Sequence, residues 1–470
     1  MYGIKLEVPD KVLTYRYNVH NIKTLKSIMM QYVKMVLEHI PTIEFESLEL
    51  EPIDFETDFG IVSAYEVRTV FRNKENPSEK YRYTTHIPQL KNLYYFYING
   101  LPYLHIYSFV DRVLVMMHIG NSVAYKLSNL YQSATFYDIL GKKTQKRTPA
   151  KIKVNKKWHL MHFVLAMLMD VYGYTFMDAL EHVLRAMNVY DKTEIAHITD
   201  LPENIARKLK RPDYMFAKYE DRKEDVMYIT LGQSGMVLKI NGWQSDITDY
   251  QARLLIGLGQ RAKLNYEFVS TELTDPTCNK IDFITLAYSP ESKEAYRLRK
   301  DLRLFYVIFD YVTQKELGVK DAKEFFDKYI LKGEILTKVP DHSFTDWRGK
   351  KLAYLALLLQ PFIRQMMHII KTYLSQGHII VKNRTTLRVF LKAITAQYAG
   401  TQVRNPISEV ALALKSTFGH NYAIKTKSYT FRKQEIINAG IVDLIPTPES
   451  DKAGVVYWLT LDIQKPIPIV

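Results

Sequence analysis

The sequence predicts a multidomain α+β protein, because two kinds of hydrophobic spacing occupy different parts of the chain. Between about residues 43 and 126, short runs rich in β-branched and aromatic residues predict strands. Apolar residues recur every three or four positions after Asn21 and in several later segments, which predicts helices. At 470 residues the chain is long enough for two to four domains with their own cores.

The N-terminal segment combines a strand pattern with a helix pattern. Residues 10–20 alternate apolar and polar side chains, which predicts a strand. From Asn21 onwards the spacing becomes helical, and it continues to Ile40. Asn21 stands at the change of pattern.

The β-rich region contains four runs that predict strands: Ile61–Val70, Tyr81–His86, Tyr94–Ile98 and Leu104–Phe109. Asn99-Gly100 lies between the last two runs. Both residues tolerate the positive φ of a tight turn, so this pair predicts a β-hairpin.

The rest of the chain is read mainly as helices. The spacing predicts a helical block from His159 to about Met187 and a mixed segment to about residue 290. Further helices are predicted over 292–315 and 320–331, followed by a long helix over 351–376 with a kink at Pro361. The tail from 404 to 470 predicts loops with short strands.

The chain is basic, with 64 Lys and Arg against 50 Asp and Glu, a net charge of +14. Such an excess favours a polyanionic partner, although an ordinary basic protein has the same composition. Gly141–Trp158 holds eight Lys or Arg and no acid. This segment is either a solvated loop or an arm that contacts phosphates, and the candidate phosphate contacts are Lys142, Lys143, Lys146 and Arg147.

Cysteine content and hydropathy indicate in which cellular environment the protein works. Cys278 is the only cysteine, which excludes a disulfide framework within the chain and favours a reducing compartment. The longest apolar stretch, Leu352–Leu359, is too short to span a bilayer, so we expect no membrane partner.

Four short patterns resemble parts of chemical sites, but none of them is complete. Gly257-x-Gly259 follows a helical pattern, whereas a dinucleotide-binding turn follows a strand. Asp54, Glu56 and Asp58 could share one face of a strand and hold Mg²⁺, but an acidic strand edge is commoner. His159 and His162 lack a third metal ligand, and Gln233-Ser234-Gly235 lacks the strand–turn–helix of a nucleophile elbow. We therefore predict no catalytic residue and no metal site in this chain.

Two motifs near the C-terminus stand in a characteristic order. Asn405-Pro406-Ile407-Ser408-Glu409-Val410 is followed about forty residues later by Gly440-Ile441-Val442-Asp443-Leu444-Ile445-Pro446-Thr447-Pro448-Glu449. This pair resembles N-P-L-S-E-I and G-R-V-x-P-I-E-T-P-E-G in the fork region of the RNA polymerase β subunit.

Three earlier segments resemble the same family in the same order. Ile87–Gly100 is similar to a motif of the β protrusion, Leu160–Tyr174 to a lobe helix, and Asp346–Leu352 to the start of the return into the protrusion. The resemblance implies three parts: a protrusion-like domain of residues 1–126 and 350–395, an inserted lobe-like domain of 127–349, and a fork-like region of 396–470.

The resemblance also implies which residues contact nucleic acid. Those expected to face nucleic acid or the active centre are Gln402, Arg404, Asn405, Lys415, Glu449 and Lys452. Those expected at the downstream fork are Asp346, Arg348 and Lys351, and Lys351 stands where the family has an arginine.

The function that the resemblance implies is DNA-dependent RNA synthesis as one subunit of a larger enzyme, a nucleotidyltransferase. Because the chain ends at Val470, soon after the fork motifs, it resembles the N-terminal half of a β subunit that is split, as in the multisubunit polymerases of jumbo bacteriophages. The chain would bind no cofactor and would be inactive alone, since the family's Mg²⁺-binding aspartates lie in β′.

The implied partners are a C-terminal β fragment, β′ fragments, both DNA strands and the RNA transcript, with a promoter-specificity subunit as a further candidate. The implied location is the infected host cytoplasm or the phage virion. Two alternatives stay open: a basic phage structural or DNA-packaging protein without enzymatic activity, and a promoter-recognition subunit.

Overall fold

The computed structural model is a mixed α+β structure with several small, mainly antiparallel sheets. It describes residues 21–57, 60–89, 95–98, 101–105, 107–119, 122–138, 149–209, 218–231, 236–259, 293–340, 349–353, 355–381, 398–400, 415–418, 442–443 and 456–459. The chain divides into two units, one formed by Met1–Arg112 with Asp341–Val470 and the other by Val113–Pro340.

The first unit begins with helix α1 (Ile22–His39), which starts as its sequence predicts. The Asn21 side chain accepts a hydrogen bond from the Lys23 backbone N–H and caps the helix. Its apolar positions recur every three or four residues and are buried: Leu25, Met29, Tyr32, Val33, Met35 and Val36.

A six-stranded antiparallel sheet follows in the first unit. Its strands are β1 (Ile43–Thr57), β2 (Gly60–Asn73), β3 (Lys80–Pro88), β4 (Tyr95–Ile98), β5 (Leu101–His105) and, from much later in the chain, β17 (Tyr398–Gly400). Ile98 pairs with Leu101 across β4 and β5, so the hairpin predicted from Asn99-Gly100 is confirmed by its flanking strands. The two turn residues and the strand predicted over 10–20 lie outside the described residues.

A second sheet of this unit has β6 (Tyr107–Asp111) among its inner strands. The run Leu104–Phe109 is therefore divided between two strands of different sheets, not one strand as predicted. The prediction of one long helix over 351–376 is also wrong at its start, because Lys350–Ala353 is a strand. Helices Leu355–Leu358 and Gln360–Gln376 follow it. Pro361 lies in the first turn of the second of these helices, where a missing N–H costs no hydrogen bond.

The second unit contains two antiparallel sheets. One consists of β7 (Leu114–Ile119), β8 (Ser122–Ser128), β9 (Ser133–Asp138), β10 (Pro149–Lys153) and β11 (Lys157–His159) in sequential order. The other consists of β12 (Thr193–His197), β13 (Lys218–Asp221), β14 (Val226–Thr230) and β15 (Met236–Asn241), and β15 lies between β12 and β14.

The helices of the second unit match the predicted segments in type, but each long segment is divided. They are α2 (Leu160–Tyr172), α3 (Phe176–Ala186), α4 (Glu203–Leu209), α5 (Asp249–Gly259), α6 (Lys293–Tyr306), α7 (Tyr311–Leu317) and α8 (Ala322–Phe325), which continues into a π-helix over Phe326–Leu331, then α9 (Ile335–Lys338).

The core of the second unit is rich in aromatic rings. Phe136 from β9, Phe163 from α2 and Phe305 from α6 meet Phe325 and Phe326 at the start of the π-helix. Phe305 and Phe326 stack with ring centroids 5.1 Å apart. Burying aromatic rings of this size supplies much of the stabilisation of a core.

The ends of the second unit meet. The backbone N–H of Met116 donates to the carbonyl of Pro340 at 2.9 Å. The unit is therefore an insertion between two parts of the first unit, and it begins at Val113, whereas the lobe-like domain implied by the resemblance begins at residue 127.

Candidate nucleic-acid interface

The second sheet of the first unit joins segments that are distant in sequence. Its order is β16 (Lys350–Ala353), β6, β18 (Lys415–Phe418), β20 (Val456–Leu459) and β19 (Val442–Asp443). Strand β6 pairs antiparallel with β16 and parallel with β18, and β20 pairs antiparallel with β18 and β19. Two segments with motifs of the sequence analysis, Asp346–Leu352 and Gly440–Glu449, thus contribute strands to one sheet, and β18 begins five residues after the Asn405–Val410 motif.

Lys350 and Lys351 lie inside this sheet. Lys350 is 5% exposed, and its Nζ lies 2.6 Å from Asp111 Oδ1. Lys351 pairs with Val110 across the strands and is 7% exposed. The segment is a strand with buried side chains and not the start of a helix. A contact between Lys351 and DNA stays a prediction.

The other predicted contact residues are only partly described. Lys415 begins β18 and pairs with Trp458 of β20, and nothing beyond its backbone is described. Asp346, Arg348, Gln402, Arg404, Asn405, Glu449, Lys452 and the basic residues Lys142, Lys143, Lys146 and Arg147 lie outside the described residues.

The second half of the basic segment is a β-hairpin formed by β10 and β11. Lys151 pairs with His159 and Lys153 with Lys157 across the two strands. Lys157 Nζ lies 4.3 Å from the centroid of the Tyr137 ring, and Lys156 Nζ lies 5.5 Å from the Trp158 ring. These cation–π contacts hold the lysine stems against the sheet while Lys153 and Lys157 stay exposed to solvent.

A buried carboxylate connects this hairpin to helix α6. Asp301 is 1% exposed, and its Oδ2 accepts hydrogen bonds from Trp158 Nε1 at 2.7 Å and from the Lys156 backbone N–H at 3.2 Å. Burial raises the pKa of Asp301, and these hydrogen bonds oppose that rise. Sequence reasoning missed Asp301, although an acid on the apolar stripe of a basic helix was a usable signal.

The patterns set aside in the sequence have local structural roles. Gly257 and Gly259 lie within the last turn of α5 and do not open a helix. The segment Gln233–Gly235 lies outside the described residues, and the element that follows it is strand β15, whereas a nucleophile elbow is followed by a helix. Asp54 lies on β1 and accepts a hydrogen bond from the Ser63 hydroxyl on β2.

His159 and His162 lie side by side at the start of α2, with ring centroids 5.7 Å apart. His162 Nε2 donates to the carbonyl of Leu258 at 3.2 Å, which joins α2 to α5. Burial lowers the pKa of His162 to about 4, so its ring is neutral at physiological pH. Among the described residues, no group of three or more His, Cys, Asp or Glu side chains is placed to hold a metal ion.

The described side chains therefore offer electrostatic and stacking contacts, and we assign no chemical step to them.

None of the described helices is long and apolar enough to cross a membrane. No family model matches this chain, and a search of curated proteins found no significant match either.

Proposed function

We propose that this chain is the protrusion, lobe and fork part of a β-type subunit in a multisubunit DNA-dependent RNA polymerase of a bacteriophage. In this proposal it contacts DNA and the RNA–DNA hybrid close to the active centre. In this proposal the aspartates that bind the catalytic Mg²⁺ belong to a β′-type partner, so RNA synthesis needs the assembled enzyme.

The observation that carries the proposal is the sheet β16-β6-β18-β20-β19. Strand β16 contains the end of the segment Asp346–Leu352, and β19 lies within Gly440–Glu449. Strand β18 begins five residues after the Asn405–Val410 motif. These segments are separated by tens of residues in the sequence, and chance matches have no reason to share one sheet. Their contribution to one sheet, in which β6 and β20 lie between them, supports reading them as parts of one functional region.

The charge of the molecule supports a nucleic-acid partner. The net charge of +14 gives the protein an attraction for phosphates that is independent of base sequence. The hairpin of β10 and β11 contributes exposed lysines at Lys153 and Lys157 without an acid in the same segment.

The test is isolation of the chain with its native partners. An affinity-tagged chain should co-purify from infected cells with a polypeptide that carries a G-D-x-D-G-D-type motif, and the complex should extend RNA on a DNA template with Mg²⁺ and nucleotides. The chain purified alone should make no RNA. The matched control is the same complex with one motif aspartate of the partner changed to asparagine, which should co-purify equally and lose synthesis.

Two results would contradict the proposal. RNA synthesis by the isolated chain would show that the subunit assignment is wrong. Recovery of the chain in particles without polymerase activity would favour the structural or packaging alternative.

A further inference from the structure

The solvent-facing side of helix α6 has a distinctive composition. Its buried side chains Leu298, Leu302 and Phe305 face the core together with Asp301. The opposite side presents Tyr296, Arg297, Lys300 and Arg303, spaced three or four residues apart. Because that spacing follows the helical period, the three cations and the tyrosine form one stripe.

The basic hairpin joins α6 on the opposite, buried side of the helix. Asp301 binds the Trp158 side chain and the backbone of Lys156, so the hairpin packs against the side of α6 that faces the core. From Tyr296 to Tyr306 the only acid is this buried Asp301, and Glu294 precedes the stripe in the same helix. The cations of the stripe therefore stand without a carboxylate among them.

Tyr296 distinguishes this surface from a purely ionic one. It is 58% exposed, the largest exposed fraction among the described large hydrophobic side chains. A base can stack on an exposed ring when the strand is single, whereas the bases of a duplex already stack on one another. Neighbouring Arg and Lys residues can hold the backbone of the same strand.

The stripe lies on a helix that is held in the core. Phe305 packs beside Phe326 in the aromatic core, and Asp301 binds Trp158 of the hairpin. A surface on a packed helix loses less conformational freedom when a ligand binds than a loop does.

We propose that the α6 stripe binds single-stranded DNA, with Tyr296 stacking on a base and Arg297, Lys300 and Arg303 contacting phosphates. This inference names a partner for the second unit. It rests on the proposed function only for the origin of the strand, since a polymerase opens its template.

The experiment measures fluorescence anisotropy of a labelled dT20 oligonucleotide titrated with the full chain in the absence of other subunits. Tyr296→Ala should weaken binding of dT20 about tenfold, because one base loses its stacking platform. Tyr296→Phe should bind as the wild type does, since it keeps the ring. Tyr311→Ala, which removes another exposed tyrosine of the same unit, should also leave binding unchanged.

The cations are tested by the salt dependence of binding. Arg297→Gln/Lys300→Gln/Arg303→Gln should reduce the slope of log K against log salt by about 2, at about 0.7 per phosphate contact on a single strand. The control Lys23→Gln/Lys26→Gln/Lys34→Gln makes the same change of charge on α1 of the first unit, and it should leave the slope nearly unchanged. Equal melting temperatures would show that the variants fold.

Several outcomes would overturn the inference. Wild-type affinity of Tyr296→Ala would exclude stacking, and an equal loss in the α1 control would show that only net charge matters. Tighter binding of a DNA duplex or of the matching RNA would assign the surface to another nucleic acid, and binding to phosphatidylserine vesicles without binding to dT20 would assign it to a membrane. Because the assay uses the chain alone, binding to dT20 together with failure to recover a polymerase complex would contradict the proposed function and leave this inference standing.

Discussion

His162 couples the stability of the second unit to pH. Its Nε2 donates to the Leu258 carbonyl, and among the described residues its Nδ1 has no hydrogen-bond partner. A proton added at Nδ1 would place a charge where little water reaches it, and the neighbouring His159 adds repulsion. The folded protein therefore resists protonation of this ring.

The first prediction follows from that resistance. The folded pKa of His162 is about 4, and the ordinary value is 6.5, so the unfolded chain binds more protons between these values. The contribution of His162 is complete above pH 6.5 and is lost as the pH falls through 4, with a total near 3 kcal/mol. Urea unfolding at pH 7 and pH 4.5 should show this loss in the wild type and a smaller loss in His162→Gln.

The exposed His378 provides the control for this experiment. His378→Gln should lose as much stability between pH 7 and 4.5 as the wild type does. If the His162 and His378 variants behave alike, His162 does not titrate as described.

At the scale of elements, Gly173 ends helix α2 in a left-handed conformation. Its φ is 74°, and its backbone N–H donates to the Leu168 carbonyl, which closes the helix. A Cβ built at this position meets no atom within 4 Å, so a substitution is limited by backbone strain and not by space.

The second prediction concerns this glycine. Gly173→Ala should lower the free energy of unfolding by about 1 to 2 kcal/mol, because an L side chain disfavours positive φ. Gly173→Asn should cost clearly less, since asparagine tolerates this conformation. Denaturant midpoints of the three proteins give the comparison, and equal losses for Ala and Asn would point to a steric cause instead.

Local chemistry explains which elements could be predicted from the sequence. Helix α1 has a capping Asn21 and a regular apolar stripe, and the β4–β5 hairpin has Asn99-Gly100, so neighbouring residues specify both. Strand β16 could not be found in this way. Its sequence, Lys-Lys-Leu-Ala, consists of good helix formers, and pairing with the distant strand β6 overrides that preference.

The candidate site shows the same limit. The basic composition of Gly141–Trp158 was visible, but its position beside α6 depends on the hydrogen bonds of Asp301, which join residues 143 positions apart. The burial of Lys351 likewise depends on the partners of its strand. Side chains whose surroundings come from distant segments cannot be assigned from periodicity alone.

At the scale of the whole molecule, the second unit is a continuous segment with its own core. Its core cluster includes residues from Val113 to Ile335, and the hydrogen bond between Met116 and Pro340 brings its two ends together. Segments with these properties commonly fold independently of the chain around them.

The third prediction is that residues 113–340 fold when expressed alone. The fragment should unfold in one cooperative thermal transition and give a near-ultraviolet circular dichroism signal, because its aromatic core is complete. A compact fragment with helical signal but no near-ultraviolet signal would show that this core needs the rest of the chain.

The first unit faces a delay during synthesis that the second does not. Strand β6 is complete at Asp111, but its antiparallel partner begins at Lys350 and its parallel partner at Lys415. At roughly 5 to 20 residues per second, a ribosome needs about 10 to 50 seconds to reach the nearer partner. The inserted unit can fold during that time. Tyr107 and Phe109, which are both almost fully buried in the finished protein, meanwhile lack the strands that pair with β6. Such a strand is a natural client for a chaperone that acts at the ribosome.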